Sequence, residues 1–227
     1  MIYIDESYLP VDQTMDGGDS TVRGGIMMMC NYRNELGLGM LAWFPKPFKG
    51  WFTRHCFKAP WDNPKNFSRD QMLPYIAGLH RIDEHIWVKM FFYERLKQFF
   101  FAQNFERDYP GTTKYPWPHK VDGKWRLFDF ADPLLPNHIG AIILAGKIKW
   151  AYPFLLLAYP WHLLGLIIHR FSKHHEENQA ISESYIYGTL PIYRRIHPRW
   201  KEVSKAYWQR RNEIEYHDML VKLVEGI

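Results

Sequence analysis

Apolar residues recur at helical spacing through most of the chain and alternate at strand spacing only in short stretches. Val22, Ile26 and Met29 mark the buried side of a helix beginning near Asp19, where Asp19 or Ser20 can accept hydrogen bonds from the first exposed amides. Gly24 and Gly25 weaken its early turns but suit close packing against another backbone. A second start is sharper. Ser68 can cap a helix, Gln71 can make the reciprocal capping-box contact, and Phe67 can pack on Met72 as a hydrophobic staple. Ile76, Leu79 and the region 82–87 then predict a continuing buried stripe that runs on to Tyr93, Leu96 and Phe100, with Pro74 bending its early part. Helical signals return at 139–144 and 154–168, with a break at Tyr152-Pro153, and again after a polar linker at 171–179. A last helix is expected from near Arg199, with Val203, Tyr207, Ile214, Val221 and Val224 as its apolar stripe.

The intervals between these segments are long. Residues 1–18 read as irregular or as a short edge strand, 37–67 as an aromatic loop, and 106–137 as a connecting region, extended over 124–130 and turning at Asp132-Pro133. The pattern predicts one mainly α domain over residues 1–227, built from packed helical hairpins and not around a sheet.

Composition narrows the classes. A chain of 227 residues can bury a sizeable core in one domain, and its 17% aromatic content, with ten Trp, suits a core, a sugar platform or an interface equally. Two cysteines, Cys30 and Cys56, without CxxC or CxxH spacing, exclude a disulfide scaffold and the common cysteine-rich zinc modules. The N-terminal residues lack the basic and apolar regions of a signal peptide, which points to synthesis in the cytoplasm. The net charge of +5 is concentrated near the C-terminus, where Arg194, Arg195, Arg199, Lys201, Lys205, Arg210 and Arg211 face only Glu202. This run is a solvated helix face or a partner-binding surface. No groove-reading module accompanies it, so nucleic acid is the weakest of the partner readings. The segment 150–168 carries no fixed charge and is long enough to cross a membrane. Pro153 and Pro160 interrupt it, however, and His162 within it must stay neutral or find a partner, so the expectation is a buried, kinked helical hairpin and no membrane contact.

Two polar clusters near the N-terminus could carry chemistry: Asp16-Gly17-Gly18-Asp19-Ser20 with Arg23, and Ser68-Arg69-Asp70-Gln71. Glycine lets a backbone approach a ligand, helix starts expose amides, and carboxylates accept sugar hydroxyls. If Asp19 and Asp70 share a cleft, one can act as acid and the other as base in glycoside chemistry. If Arg23 and Arg69 face the same cleft, an acidic sugar fits. The alternative needs no ligand, with Asp19 and Ser68 as caps, Asp16 in a turn and each Arg paired locally. Trp43, Trp51, Arg54 and Trp61 in the aromatic loop suit an exposed sugar-binding groove or a cover for the helices. His80, Glu84 and His85 invite a metal reading, with His80 and Glu84 on one helix face, but form no HExxH motif. No metal or cofactor is assigned, and no Walker or dinucleotide fingerprint is present.

These two clusters, with Asp132-Pro133-Leu134-Leu135-Pro136 and His138 as an extension, resemble a pattern in bacteriophage-encoded proteins related to α/α-toroid, or six-hairpin, glycan enzymes. The resemblance covers chiefly residues 12–80 and nominates Asp16, Asp19, Arg23, Arg69 and Asp70 as facing a cleft. A complete toroid needs about twelve helices of about 11–12 residues each, roughly twice what this chain can hold. The resemblance therefore implies a reduced toroid, or one completed by another subunit. Its functional implication is a virion-associated structural or glycan-interacting protein in a repeated assembly, made in the host cytoplasm, with identical or virion subunits and a host-envelope glycan as partners. The alternatives are a glycoside hydrolase or polysaccharide lyase using Asp19 and Asp70, or a nucleic-acid-binding protein.

Overall fold

A computed structural model describes residues 3–4, 10–11, 20–39, 69–101, 119–121, 124–126, 135–171 and 177–191. The order of elements is β1 (Tyr3–Ile4), β2 (Pro10–Val11), α1 (Ser20–Met29), α2 (Asn34–Gly39), α3 (Arg69–Arg81), α4 (His85–Phe101), β3 (His119–Val121), β4 (Lys124–Arg126), α5 (Pro136–Ala145), a 3-10 segment (Lys149–Phe154), α6 (Leu155–Phe171) and α7 (Glu177–Tyr187). Helix dominates. The strands form two antiparallel ribbons, one pairing Tyr3 with Val11 and Ile4 with Pro10, the other centred on Lys120 opposite Trp125.

Buried and exposed helices alternate along the chain. Every residue of α1 is buried, as are most of α3, α5 and α7, whereas α2, α4 and α6 each present a side to solvent. The core joins Ile26, Met28 and Met29 of α1, Leu73, Ile76 and Leu79 of α3, Val88 and Phe91 of α4, the apolar run of α5, and Ile181, Ile186 and Tyr187 near the end of the chain's described part.

Contacts between α1 and α3 show their relative direction. A side chain on Gly25 would run into the backbone of Pro74 and Tyr75, and one on Gly78 would meet Met28 Cβ at 2.9 Å. A side chain on Gly78 would also meet the Gly25 carbonyl oxygen at 2.6 Å, so Gly25 lies between 74–75 and 78 of α3 while Met28 lies beside 78, an order that runs in the same sense along both helices with their backbones nearly touching. Only glycine allows that approach. The ends of α3 and α5 meet likewise: the ring of His80 hydrogen-bonds to the Ala145 carbonyl, and Lys147 pairs with Asp83. α1 and α3 therefore start towards one pole, and α5 ends beside the end of α3.

Three sequence expectations change. The stripe from Ser68 to Phe100 is not one helix, because α3 ends at Arg81 and Asp83 adopts φ 65, a left-handed conformation that reverses the chain before α4. Ile86 and Tyr93, expected on a buried stripe, are exposed at 61% and 41%. The apolar segment 150–168 is not a buried hairpin. It is the 3-10 segment followed by α6, which continues through Pro160 and leaves its outer face uncovered. The 3-10 turn absorbs Pro153 where a break was expected at Tyr152-Pro153.

Candidate functional site

Polar residues are sorted along the buried helices. In α1, Ser20, Thr21 and Arg23 precede Ile26, Met27, Met28 and Met29, and all are buried. In α3 the buried Gln71 precedes Leu73, Ile76 and Leu79, and in α5 Asn137 and His138 precede the run from Ala141 to Ala145. Because α1 and α3 run in the same sense, their polar first turns lie towards one pole. Helix starts carry unsatisfied amide donors and a partial positive charge. Arg23, in the first half of α1, is buried and has an interaction partner.

The best-defined polar chemistry surrounds Glu183, where α5, α6 and α7 meet. Leu135 sits before α5 in extended backbone, Pro136 fits the first helical position, and His138 turns back so that its Nδ1 accepts the Leu135 N–H at 3.0 Å. That bond fixes the tautomer. With Nδ1 an acceptor, the hydrogen resides on Nε2, which donates to Glu183 Oε1 at 3.1 Å. The end of the Gln179 amide 2.7 Å from the same Nε2 is accordingly its carbonyl oxygen, since two N–H groups facing one another have no acceptor. Asn137 Nδ2 donates to both oxygens of Glu183, at 2.8 and 3.0 Å, and His162 Nδ1 of α6 donates to Oε2 at 2.9 Å. Tyr187 completes the cluster by stacking on His162 at 4.3 Å and donating to the Asn137 carbonyl at 2.9 Å. Gly140 leaves the room that the Tyr187 hydroxyl occupies.

Burial alone would raise the pKa of Glu183. The hydrogen bonds from His138 and His162, with the electrostatic attraction of those rings, outweigh it and hold the carboxyl well below the usual carboxylate range. Its exposure is only 3%, and each oxygen already accepts two hydrogen bonds. A carboxylate so occupied has no lone pair left to take a proton from a substrate. It is a positioning group that ties the start of α5 and the middle of α7 to the middle of α6.

Of the residues nominated from sequence, Arg23 is buried at the polar pole. Arg69 and Asp70 open α3 at the same pole. Asp16, Asp19, Trp43, Trp51, Arg54, Trp61, Arg194, Arg195, Arg199, Arg210 and Arg211 lie outside the described residues. The metal reading at His80, Glu84 and His85 fails on geometry. His80 belongs to α3, where it meets Tyr185 edge-on, while Glu84 lies in the connection and His85 opens α4 with its Nδ1 3.0 Å from the Asp83 carbonyl. Among the described residues no cluster of three His, Cys, Asp or Glu could hold a metal ion. The requirement that His162 be neutral or paired is met by Glu183. Glu183 itself was not nominated, although Gln179, Glu183 and Tyr187 repeat every four residues and so share one face of α7. No family model, curated protein or solved structure matches the chain.

Proposed function

We propose that this chain is a bacteriophage-encoded, virion-associated structural or glycan-interacting protein that works in a repeated assembly, with its sugar site at the polar starts of α1 and α3. The observation that carries the reading is that α1, α3 and α5 each begin with buried polar residues, Arg23 among them, and that α1 and α3 start towards the same pole. Sugar recognition needs donors and acceptors held in fixed directions, and helix starts braced by a buried hydrogen-bond network meet that need. The alternation of buried with exposed helices supports a reduced α/α-toroid, whose inner helices would present such a pole. The basic run containing Arg194, Arg195, Arg199, Arg210 and Arg211 is the proposed contact with identical or virion subunits. Titration calorimetry with host-envelope glycans, neutral and acidic, tests the binding; retention that is lost in Asp70→Asn with the fold intact is expected. No retention of any such glycan, together with no association with virion particles, would overturn the reading.

One observation favours an enzymatic alternative. α1 and α3 start towards the same pole, and Asp70, half of the pair that a hydrolase or lyase would use, lies in the first turn of α3, while its proposed partner Asp19 lies outside the described residues. Glu183 is unsuited to the part of acid or base because its hydrogen-bonding capacity is filled. Product analysis of the same glycans distinguishes the readings: cleavage abolished by Asp19→Asn or Asp70→Asn supports the enzyme, and binding without cleavage supports the binding protein.

A further inference from the structure

Between Leu155 and Ile168 the outer face of α6 has no charged group. Leu156, Leu157, Trp161, Leu164, Ile167 and Ile168 are all exposed, Leu156 at 84%. At about 100° per residue they fall with Pro160 within an arc of about 140°. The opposite arc carries Ala158, His162 and Leu166, which are buried. The preceding 3-10 segment adds Trp150, 64% exposed, and Tyr152. Only 22% of the most apolar window within Lys149–Ile168 is buried, whereas the core helix of a water-soluble protein is mostly covered. A continuous apolar surface of this kind marks an interaction site.

We infer that this face docks onto the surface of an anionic phospholipid bilayer, with α6 lying in the membrane plane and its outer side chains immersed among the upper acyl chains. Hydrogen bonding separates lipid from a protein partner. The face covers on the order of 900 Å², and a protein interface of that size carries roughly one hydrogen bond per 100–200 Å². Its only polar hydrogens on long side chains are the indole N–H groups of Trp150 and Trp161 and the Tyr152 hydroxyl, and Trp150 already donates to the Tyr93 hydroxyl at 3.0 Å. Hydrocarbon requires no such groups. Charge agrees with this assignment, because exposed Lys149 immediately precedes Trp150 and Arg170 lies two residues past Ile168 in sequence, while Lys147 is paired with Asp83. Cations beside amphipathic aromatic rings suit the headgroup layer.

The buried side of α6 fixes the mode of contact. His162 is held at 2.9 Å by Glu183, and α6 packs on both α5 and α7. A helix crossing the bilayer alone would have to break that pair and strand an ionised carboxylate in the remaining core. Immersion of one face breaks nothing.

Flotation of the full chain with phosphatidylcholine vesicles, with and without phosphatidylglycerol, tests the inference. The protein should float with the vesicles, more strongly with phosphatidylglycerol at low salt. Leu157→Asp with Leu164→Asp should reduce binding about tenfold or more while leaving the circular dichroism melt in place, since both positions are exposed. Lys149→Glu keeps the apolar face and should remove the preference for phosphatidylglycerol, a test that survives even if the double variant fails to fold. Absence of flotation at low salt, or unchanged flotation of a folded double variant, would overturn the inference. So would native mass showing that the face instead joins two copies of the chain without binding vesicles.

Discussion

Replacing Glu183 by leucine removes the acceptor on which three buried donors converge. Asn137 Nδ2, His138 Nε2 and His162 Nδ1 donate to its carboxylate at 2.8 to 3.1 Å, and all three residues are buried. Leucine has similar bulk but accepts nothing, and each stranded donor costs about 1–3 kcal/mol. Breaking a buried charged pair by removing one partner costs about 3–5 kcal/mol, which sets the expected loss in Glu183→Leu. Glu183→Gln should be milder, at about 1–2 kcal/mol. Its oxygen can accept from His138, while its amide can donate to Asn137 Oδ1, now without a partner, after Asn137 turns over, and to His162 after a tautomer change. His138 cannot adjust, because Leu135 N–H fixes its Nδ1. Urea unfolding followed by circular dichroism at neutral pH gives both values. Equal losses in the two variants, or a loss below about 1 kcal/mol in Glu183→Leu, would refute the assigned network. The pH dependence provides a second measure. Folding lowers the Glu183 pKa from its ordinary value of 4.5, so the stabilisation is fully present above about pH 4.5 and is lost as pH falls towards and through the depressed folded value. Glu183→Gln should flatten that acid limb.

Gly25→Ala should cost about 2–3 kcal/mol or prevent folding, measured by thermal melting, because its methyl would meet the Pro74 backbone and not a movable side-chain end. The Asp83 carboxyl should titrate below the ordinary aspartate range by carbon NMR, chiefly through its hydrogen bond with Lys147, and should move back up in Lys147→Ala. The Cys30 thiol, pushed up to about 12 by burial, should resist alkylation at pH 8 in the folded chain and react after denaturation, as peptide mass mapping would show.

Helix starts were legible because their signals are local. The polar cluster near residue 19 and the capping box at Ser68 anticipated helices whose bounds are Ser20–Met29 and Arg69–Arg81. Gly25 was read as a close-packing residue, and the approach to Pro74 bears that out. The division between α3 and α4 was hidden because Asp83, not glycine, takes the left-handed position, so nothing in composition marked the reversal. Burial was misread where apolar character stood in for a position in the core, as at Ile86 and along α6. A hydrophobic pattern records what a side chain avoids, and water can be avoided at more than one kind of surface. The shared pole of α1 and α3 depends on helix direction, which periodicity does not encode. Glu183 was obscured for the opposite reason, since its segment of Glu, Asn, Gln and Ser reads as solvent-facing although residues from Gln179 to Ser184 are buried.

The ring of contacts around Glu183 also acts as a register lock. Two helices joined only by leucines and alanines can exchange one set of knobs and holes for the next with modest change in buried area. A slip of α7 by one residue would turn Glu183 by about 100° and separate it at once from Asn137 on α5 and His162 on α6. Sliding is therefore all or nothing. Random drift should reach the same conclusion as the chain diverges: Asn137, His138, His162 and Glu183 should be retained together or replaced together by apolar residues, with single replacements rare.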